Sequence, residues 1–168
     1  MPDFLDEMTK SVPALRRYAN ALTHNRDTAD DLVQDCLERA IRKQALWRPD
    51  GPLRPWLYRV LINVWRNNLR SRSRRPAQVP IDDFADQLFV PAAQPGRVAL
   101  AEMARAIEKL SAEHREALLL IVVEGLSYTE AAQVLEIPLG TLMSRLGRAR
   151  SSLARMTQED QPNLKVIK

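Results

Sequence analysis

Little in these 168 residues offers the chemistry an enzyme needs. A single cysteine, Cys36, excludes an internal disulfide framework and suits a reducing compartment. The two histidines, His24 and His114, lie far apart in the chain, so no ligand cluster points to zinc. There is no Ser/His/Asp or Cys/His set and no glycine-rich phosphate-cradling loop among only five glycines. No long apolar run suggests a membrane span. The amino end carries Asp3, Asp6 and Glu7, the wrong charge for a signal peptide. These absences predict a cytoplasmic chain that is not an enzyme, uses no cofactor or metal and does not insert into a membrane. Aromatic residues make up only 5% of the chain, and Ala, Leu, Arg and Glu recur at helical spacing, which predicts an all-α fold.

What is present is charge, unevenly distributed. The formal net charge is +4 and the sequence pI about 9.6, which favours a polyanionic partner. Arginines 66, 70, 72, 74 and 75 crowd one stretch with no acid among them; Asp27, Asp30, Asp31, Asp35 and Glu38 crowd another. Phe4–Thr9 reads as a helical turn or two, and Ser11 as the cap of the helix that follows, with Pro13 in its first turn and Val12, Leu15, Tyr18, Ala19 and Leu22 on its buried side. Thr28 and Asp31 read as a capping box for a second helix running to about Trp47. Ala29, Val33, Cys36, Leu37, Ala40 and Ile41 form its apolar stripe, while Asp31, Gln34, Asp35, Glu38 and Arg42 fall on a separate face. That face reads either as solvated, with Asp35–Arg39 and Glu38–Arg42 pairs worth a few tenths of a kcal/mol each, or as a docking surface for a basic partner.

Pro55 opens a third predicted helix, PWLYRVLINVWRNNLRSRSRR (residues 55–75). Leu57, Val60, Leu61, Val64 and Leu69 supply its core side, and Asn63, Arg66, Asn67 and Arg70 a polar, cationic stripe. Amides that bond base edges, arginines that pair with phosphate and the indoles of Trp56 and Trp65 suit single-strand recognition, although Trp56 equally fits a core. Residues 76–96 hold four prolines and no basic residue, and read as an interdomain linker able to span up to ~70 Å, about two turns of duplex DNA. Helices resume with Leu100, Met103, Ile107 and Leu110 on one inward side, then Leu118, Leu119, Ile121 and Val122 on another after Ser111 as cap. Gly125 ends that second helix.

Residues 125–155, GLSYTEAAQVLEIPLGTLMSRLGRARSSLAR, read as a helix-turn-helix. Ser127 and Glu130 form a capping box, Ala131, Ala132, Val134 and Leu135 a small apolar face, and Pro138 cannot continue the helix. The helix that restarts places Leu139, Leu142, Leu146, Ala149 and Leu153 on one side and Arg145, Arg148, Arg150 and Arg155 mostly elsewhere, with no acid from 139 to 155. Small residues at a helix crossing followed by a cationic helix suit docking in a major groove. Residues 157–168 read as a frayed tail. The fold expected is therefore two small helical domains, 1–75 and 97–168, joined by the Pro-rich linker 76–96, the second ending in a helix-turn-helix.

The order of ADDLVQDCLERAIRK (residues 29–43), PWLYRVLINVWRNNLRSRSRR, the linker and LSAEHREALLLIVVEGLSYTEAAQVLEIPLGTLMSRLGRARSSL (residues 110–153) closely resembles the extracytoplasmic-function (ECF) sigma factors. This is the group that keeps only the second and fourth sigma domains. The resemblance implies that the chain binds core RNA polymerase and directs initiation at promoter DNA, with an anti-sigma factor as regulator. It implies that Asp31, Leu32, Gln34 and Asp35, joined by Glu38 and Arg39, dock on the polymerase clamp. It also implies that Asn63, Arg66, Asn67 and Arg70, with Trp56 beside them, melt and hold the −10 region. Thr141, Met143, Ser144, Arg145 and Arg148 would then read the −35 element, and the linker would run toward the polymerase cleft. Met143 stands where many relatives have Lys or Arg and cannot pair bidentately with guanine, and Gly147 replaces a bulky residue, so the −35 sequence is left open. A promoter-binding regulator that is not a sigma factor would use the helix-turn-helix but leave the acidic face and the Asn/Arg helix idle.

Overall fold

The structure, a computed structural model, describes residues 3–74 and 95–159. Helices account for nearly all of the described residues, and no strand occurs among them: α1 (Phe4–Thr23), α2 (Arg26–Arg42), a short 3-10 turn (Gln44–Leu46), α3 (Leu53–Arg74), α4 (Pro95–Glu108), α5 (Ala112–Val122), α6 (Tyr128–Leu135) and α7 (Leu139–Glu159). The all-α expectation holds.

The first three helices pack on one another as a bundle. Contrary to the sequence reading, α1 does not start at Ser11 but runs unbroken from Phe4 through Pro13. Ser11 Oγ bonds back to the Glu7 carbonyl at 2.9 Å instead of capping, and burial of Phe4 and Met8 holds the added turns in place. His24, in the left-handed region at φ 52°, closes the helix by donating its amide to Asn20. Asn25, rather than Thr28, then caps α2, its side chain accepting the Thr28 amide at 2.9 Å. The second helix also stops at Arg42, short of Trp47, where the 3-10 turn takes over. Ile41, expected in its apolar stripe, is exposed, whereas Leu32, expected on the docking face, is 1% exposed and belongs to the core.

In the second bundle α7 packs on α4, α5 and α6. Ser111 caps α5 by accepting the His114 amide, and Ser127 and Glu130 form the reciprocal capping box of α6. Gly125 sits at φ +65°, which lets the chain turn sharply enough for the Leu126 amide to reach the Leu120 carbonyl at 3.1 Å. Leu142, Leu146 and Ala149 anchor α7, and Leu110, Leu118 and Leu119 are buried as expected, but Leu139 is exposed, as are Leu100, Met103 and Val122; Ala106, Ala117 and Leu120 fill the core in their place. Pro95 and Gly96, expected in the linker, open α4, and α7 continues to Glu159 past the expected start of the tail. The rest of the linker, with its expected path to the polymerase cleft, and the tail from 160 onward lie outside the described residues.

The two bundles do not stand apart. The first α-helix packs on α5 and α3 on α6, so that one continuous apolar cluster runs from Phe4 to Ala149. Tyr18 and Tyr58 meet edge-on within it, ring centroids 5.4 Å apart, and the Tyr18 hydroxyl donates to the Glu116 carbonyl at 3.1 Å.

Candidate nucleic-acid interface

The outer face of α2 presents Asp31, Gln34, Asp35 and Glu38 to solvent, with Arg39 half-buried beside them. Its internal pairing is thin. Glu38 meets Arg42 at 3.7 Å and accepts from Gln34 at 3.4 Å, while the anticipated Asp35–Arg39 pair does not form. Among the described residues Asp31 and Asp35 have no cation within 4.0 Å. Burial of Leu32 means that it supports this face from beneath rather than lining it.

On α3 the periodicity divides the helix as the pattern requires. Leu57, Val60, Leu61 and Val64 face inward, and Asn63, Asn67 and Arg70 are exposed. Trp65 is buried in the core, so it is not available to stack on a base. Trp56 is half-buried, 6.3 Å edge-on from Phe4, and lines a cleft of about 520 Å³ with Trp47 and Arg59. Arg66 departs from the expected free cationic stripe: its guanidinium bonds both Glu116 carboxylate oxygens, at 3.4 and 2.8 Å.

Within the helix-turn-helix, Glu136 takes the left-handed conformation at φ 56° that closes α6, and Pro138 begins the turn of α7 by accepting the Leu142 amide at 3.1 Å. Met143, Ser144 and Arg148 are exposed, and Thr141 is half-buried. The Arg145 side chain is 19% exposed and faces Glu113 of α5 at 3.5 Å. Arg66, Arg70 and Arg145 consequently line a single cleft of about 460 Å³, together with Glu113, Glu116 and Glu136.

The groups that draw the bundles together were not visible in the sequence. Glu124 has a fully buried side chain; Arg17 of α1 bonds it at 3.1 and 2.8 Å, Arg54 of α3 at 2.9 Å, and the Tyr58 hydroxyl donates to the same carboxylate. Burial alone would raise the Glu124 carboxyl, but the bonds from Arg17, Tyr58 and Arg54 outweigh it and hold the group below the ordinary carboxylate range. The Tyr58 hydroxyl is pushed upward by burial and by its bond to Glu124. Arg59 pairs with Glu136, and Arg115 donates to the Leu22 carbonyl at 3.0 Å across the same junction. An acid just beyond the apolar run of α5 is a signal that a cation is buried nearby, yet nothing local names Arg17, 107 positions away, as that cation.

Two three- to four-helix bundles, one bearing an acidic outer helix and an Asn/Arg stripe and the other ending in a basic helix-turn-helix, define a two-domain transcription-factor architecture. Residues 8–62 match the family described as the Sigma2 domain of PhyR, and residues 100–153 match Sigma-70, region 4. The ECF RNA polymerase sigma factor EcfG of Rhodopseudomonas palustris (strain TIE-1) is 36% identical over 155 residues, covering 92% of this chain and 85% of that protein. RNA polymerase sigma-H factor of Pseudomonas aeruginosa is 34% identical over 146 residues, covering 80% and 76%. The sigma factor RpoE of Bartonella quintana, solved with the anti-sigma factor NepR, superposes with a TM-score of 0.75 at 34% identity over 96% of this chain and all of that one. CnrH, solved with the cytosolic domain of CnrY, superposes with a TM-score of 0.67 at 27% identity, covering 91% and 86%. The chain belongs to the ECF RNA polymerase sigma factors.

Proposed function

We propose that this sigma factor divides its work among three helices. Asp31, Gln34, Asp35 and Glu38 of α2, with Arg39, dock on a basic surface of core RNA polymerase; Asn63, Arg66, Asn67 and Arg70 of α3, with Trp56 at its start, melt and hold the −10 element; Thr141, Met143, Ser144, Arg145 and Arg148 of α7 read the −35 element. The boundaries used are 1–75 for the second sigma domain and 95–168 for the fourth, its start moved from 97 because α4 opens at Pro95, with 76–94 between them. The observation that carries the reading is the α2 face: Asp31 and Asp35 are solvated and lack a cation within 4.0 Å among the described residues, beside a helix whose Asn63, Asn67 and Arg70 are also turned outward. A carboxylate left in water retains its charge for a partner, whereas one already paired must first be released.

The experiment is reconstitution of the purified chain with core polymerase that lacks any other sigma factor. Initiation from a cognate promoter is expected; failure to bind core overturns the reading, including its distinction from a regulator that is not a sigma factor. An anti-sigma factor as regulator is supported by the solved complexes of the related RpoE with NepR and of CnrH with CnrY. Among the described residues no helix is long and apolar enough to cross a membrane.

A further inference from the structure

The −10 and −35 elements lie roughly two turns of duplex apart, on the order of 70 Å at ~34–36 Å per turn. In this structure Arg66, Arg70 and Arg145 line one cleft of about 460 Å³. The same arrangement therefore cannot engage both elements, and the bundles must separate before a promoter is bound. What resists separation is specific and polar as well as apolar. Glu124 side-chain exposure is 0% and Glu116 is 2% exposed, and both sit on or just after α5 in the second bundle. Every cation they bond comes from the first bundle: Arg17 and Arg54 for Glu124, Arg66 for Glu116. Glu113 stands 3.5 Å from Arg145 on the rim of the same cleft.

We propose that Glu116 and Glu124 form an intramolecular latch that holds the free chain closed, with the Glu116 carboxylate occupying the place of a DNA phosphate on Arg66. The proposal rests on the reading of α3 as a DNA-binding helix for its second half and on geometry alone for its first. The latch gives the free protein low affinity for DNA without any partner, because apparent affinity falls with the fraction of molecules that are open. It also sets the order of events. Docking on the polymerase must supply the differential binding energy that favours the open form.

The test uses the full chain carrying spin labels at Lys10→Cys on α1 and Ser151→Cys on α7, both exposed positions. Cys36 is buried, and burial pushes its thiol up to about 12, so it does not take the label. Pulsed-dipolar distances and binding of a fluorescent mixed-sequence DNA are read for the unaltered latch and for Glu116→Gln/Glu124→Gln. Circular dichroism verifies that the bundles remain helical; Arg17→Gln, from the half-exposed side of the same contact, replaces the double variant if it does not. Support is a longer, broader distance distribution together with about ten-fold tighter DNA binding by the free chain, a shift from mostly closed to mostly open. An unchanged distance distribution overturns the latch. Opening without a gain in DNA binding overturns sequestration. Adding Arg66→Ala to the opened variant separates the two layers: if DNA binding is unaffected, the DNA-binding reading of Arg66 fails while the measured opening still upholds the latch.

Discussion

Two segments carry this protein's most informative acids, and they treat them in opposite ways. The α2 residues Asp31, Asp35 and Glu38 stand in water with one loose pair between them, while Glu116 of α5 and Glu124 just beyond it are buried and each bonded by arginine from the other bundle. A buried carboxylate is tolerable only when its charge is matched by donors, so those of the α5 segment are committed to internal structure. A solvated carboxylate adds little to folding and stays free to choose a partner. The same residue type thus closes the molecule in one place and opens it to association in another.

The sharpest way to break this contrast is Glu124→Ala. It strands Arg17, Arg54 and the Tyr58 hydroxyl at once; since both arginines are about half exposed and regain water, the expected cost is about 2–3 kcal/mol in urea denaturation rather than the full loss of a buried pair. A cost no larger than that of Asp35→Ala would erase the distinction. Next in size, Arg145→Ala should weaken discrimination between intact and scrambled −35 promoters by ~1–3 kcal/mol if the guanidinium reads a base, measured by transcription from the reconstituted holoenzyme. Equal use of both promoters by the unaltered protein removes that role from α7.

Asp35→Ala should reduce affinity for core polymerase by about ten-fold, roughly 1.4 kcal/mol. Its unfolding free energy should move by less than ~0.5 kcal/mol, because the side chain is exposed and has no ion-pair partner among the described residues. Normal core affinity in a binding titration would leave the acidic face a mere solvated surface. The smallest effect is one of pH. Glu124 is held below its unfolded range, so the stability it contributes is full above about pH 4.3 and is lost as pH falls through its lower folded value. Denaturation midpoints of the unaltered protein should therefore drop more steeply on acidification than those of Glu124→Gln; parallel slopes would show that the carboxylate is not held as the geometry indicates.

Much of the fold was legible because helices announce themselves locally. The Ser127–Glu130 capping box, the stop at Pro138 and the inward Leu142, Leu146 and Ala149 of α7 all follow from neighbours within a turn or two. Errors fell where tertiary packing overrode local signals. Burial of Phe4 and Met8 carried α1 through Pro13, and Leu32 turned inward although Asp31, Gln34 and Asp35 face water; Asn25, by contrast, displaced Thr28 as cap through a bond spanning only three residues. Among the site residues, exposure of Asn63, Asn67, Arg70, Met143, Ser144 and Arg148 follows from helical period, while the engagement of Arg66 and Arg145 by α5 acids does not.

The sequence by itself determined the helices, their amphipathic faces, the helix-turn-helix and the sigma-factor family, since each depends on residues close in the chain or on motifs in a fixed order. Only the tertiary structure decided that the two bundles share one core and that Glu116 and Glu124 join them. The physical reason is range. Period and capping act over three or four residues, whereas Arg17 and Glu124 are 107 apart, and whether such charges meet is set by how the bundles pack.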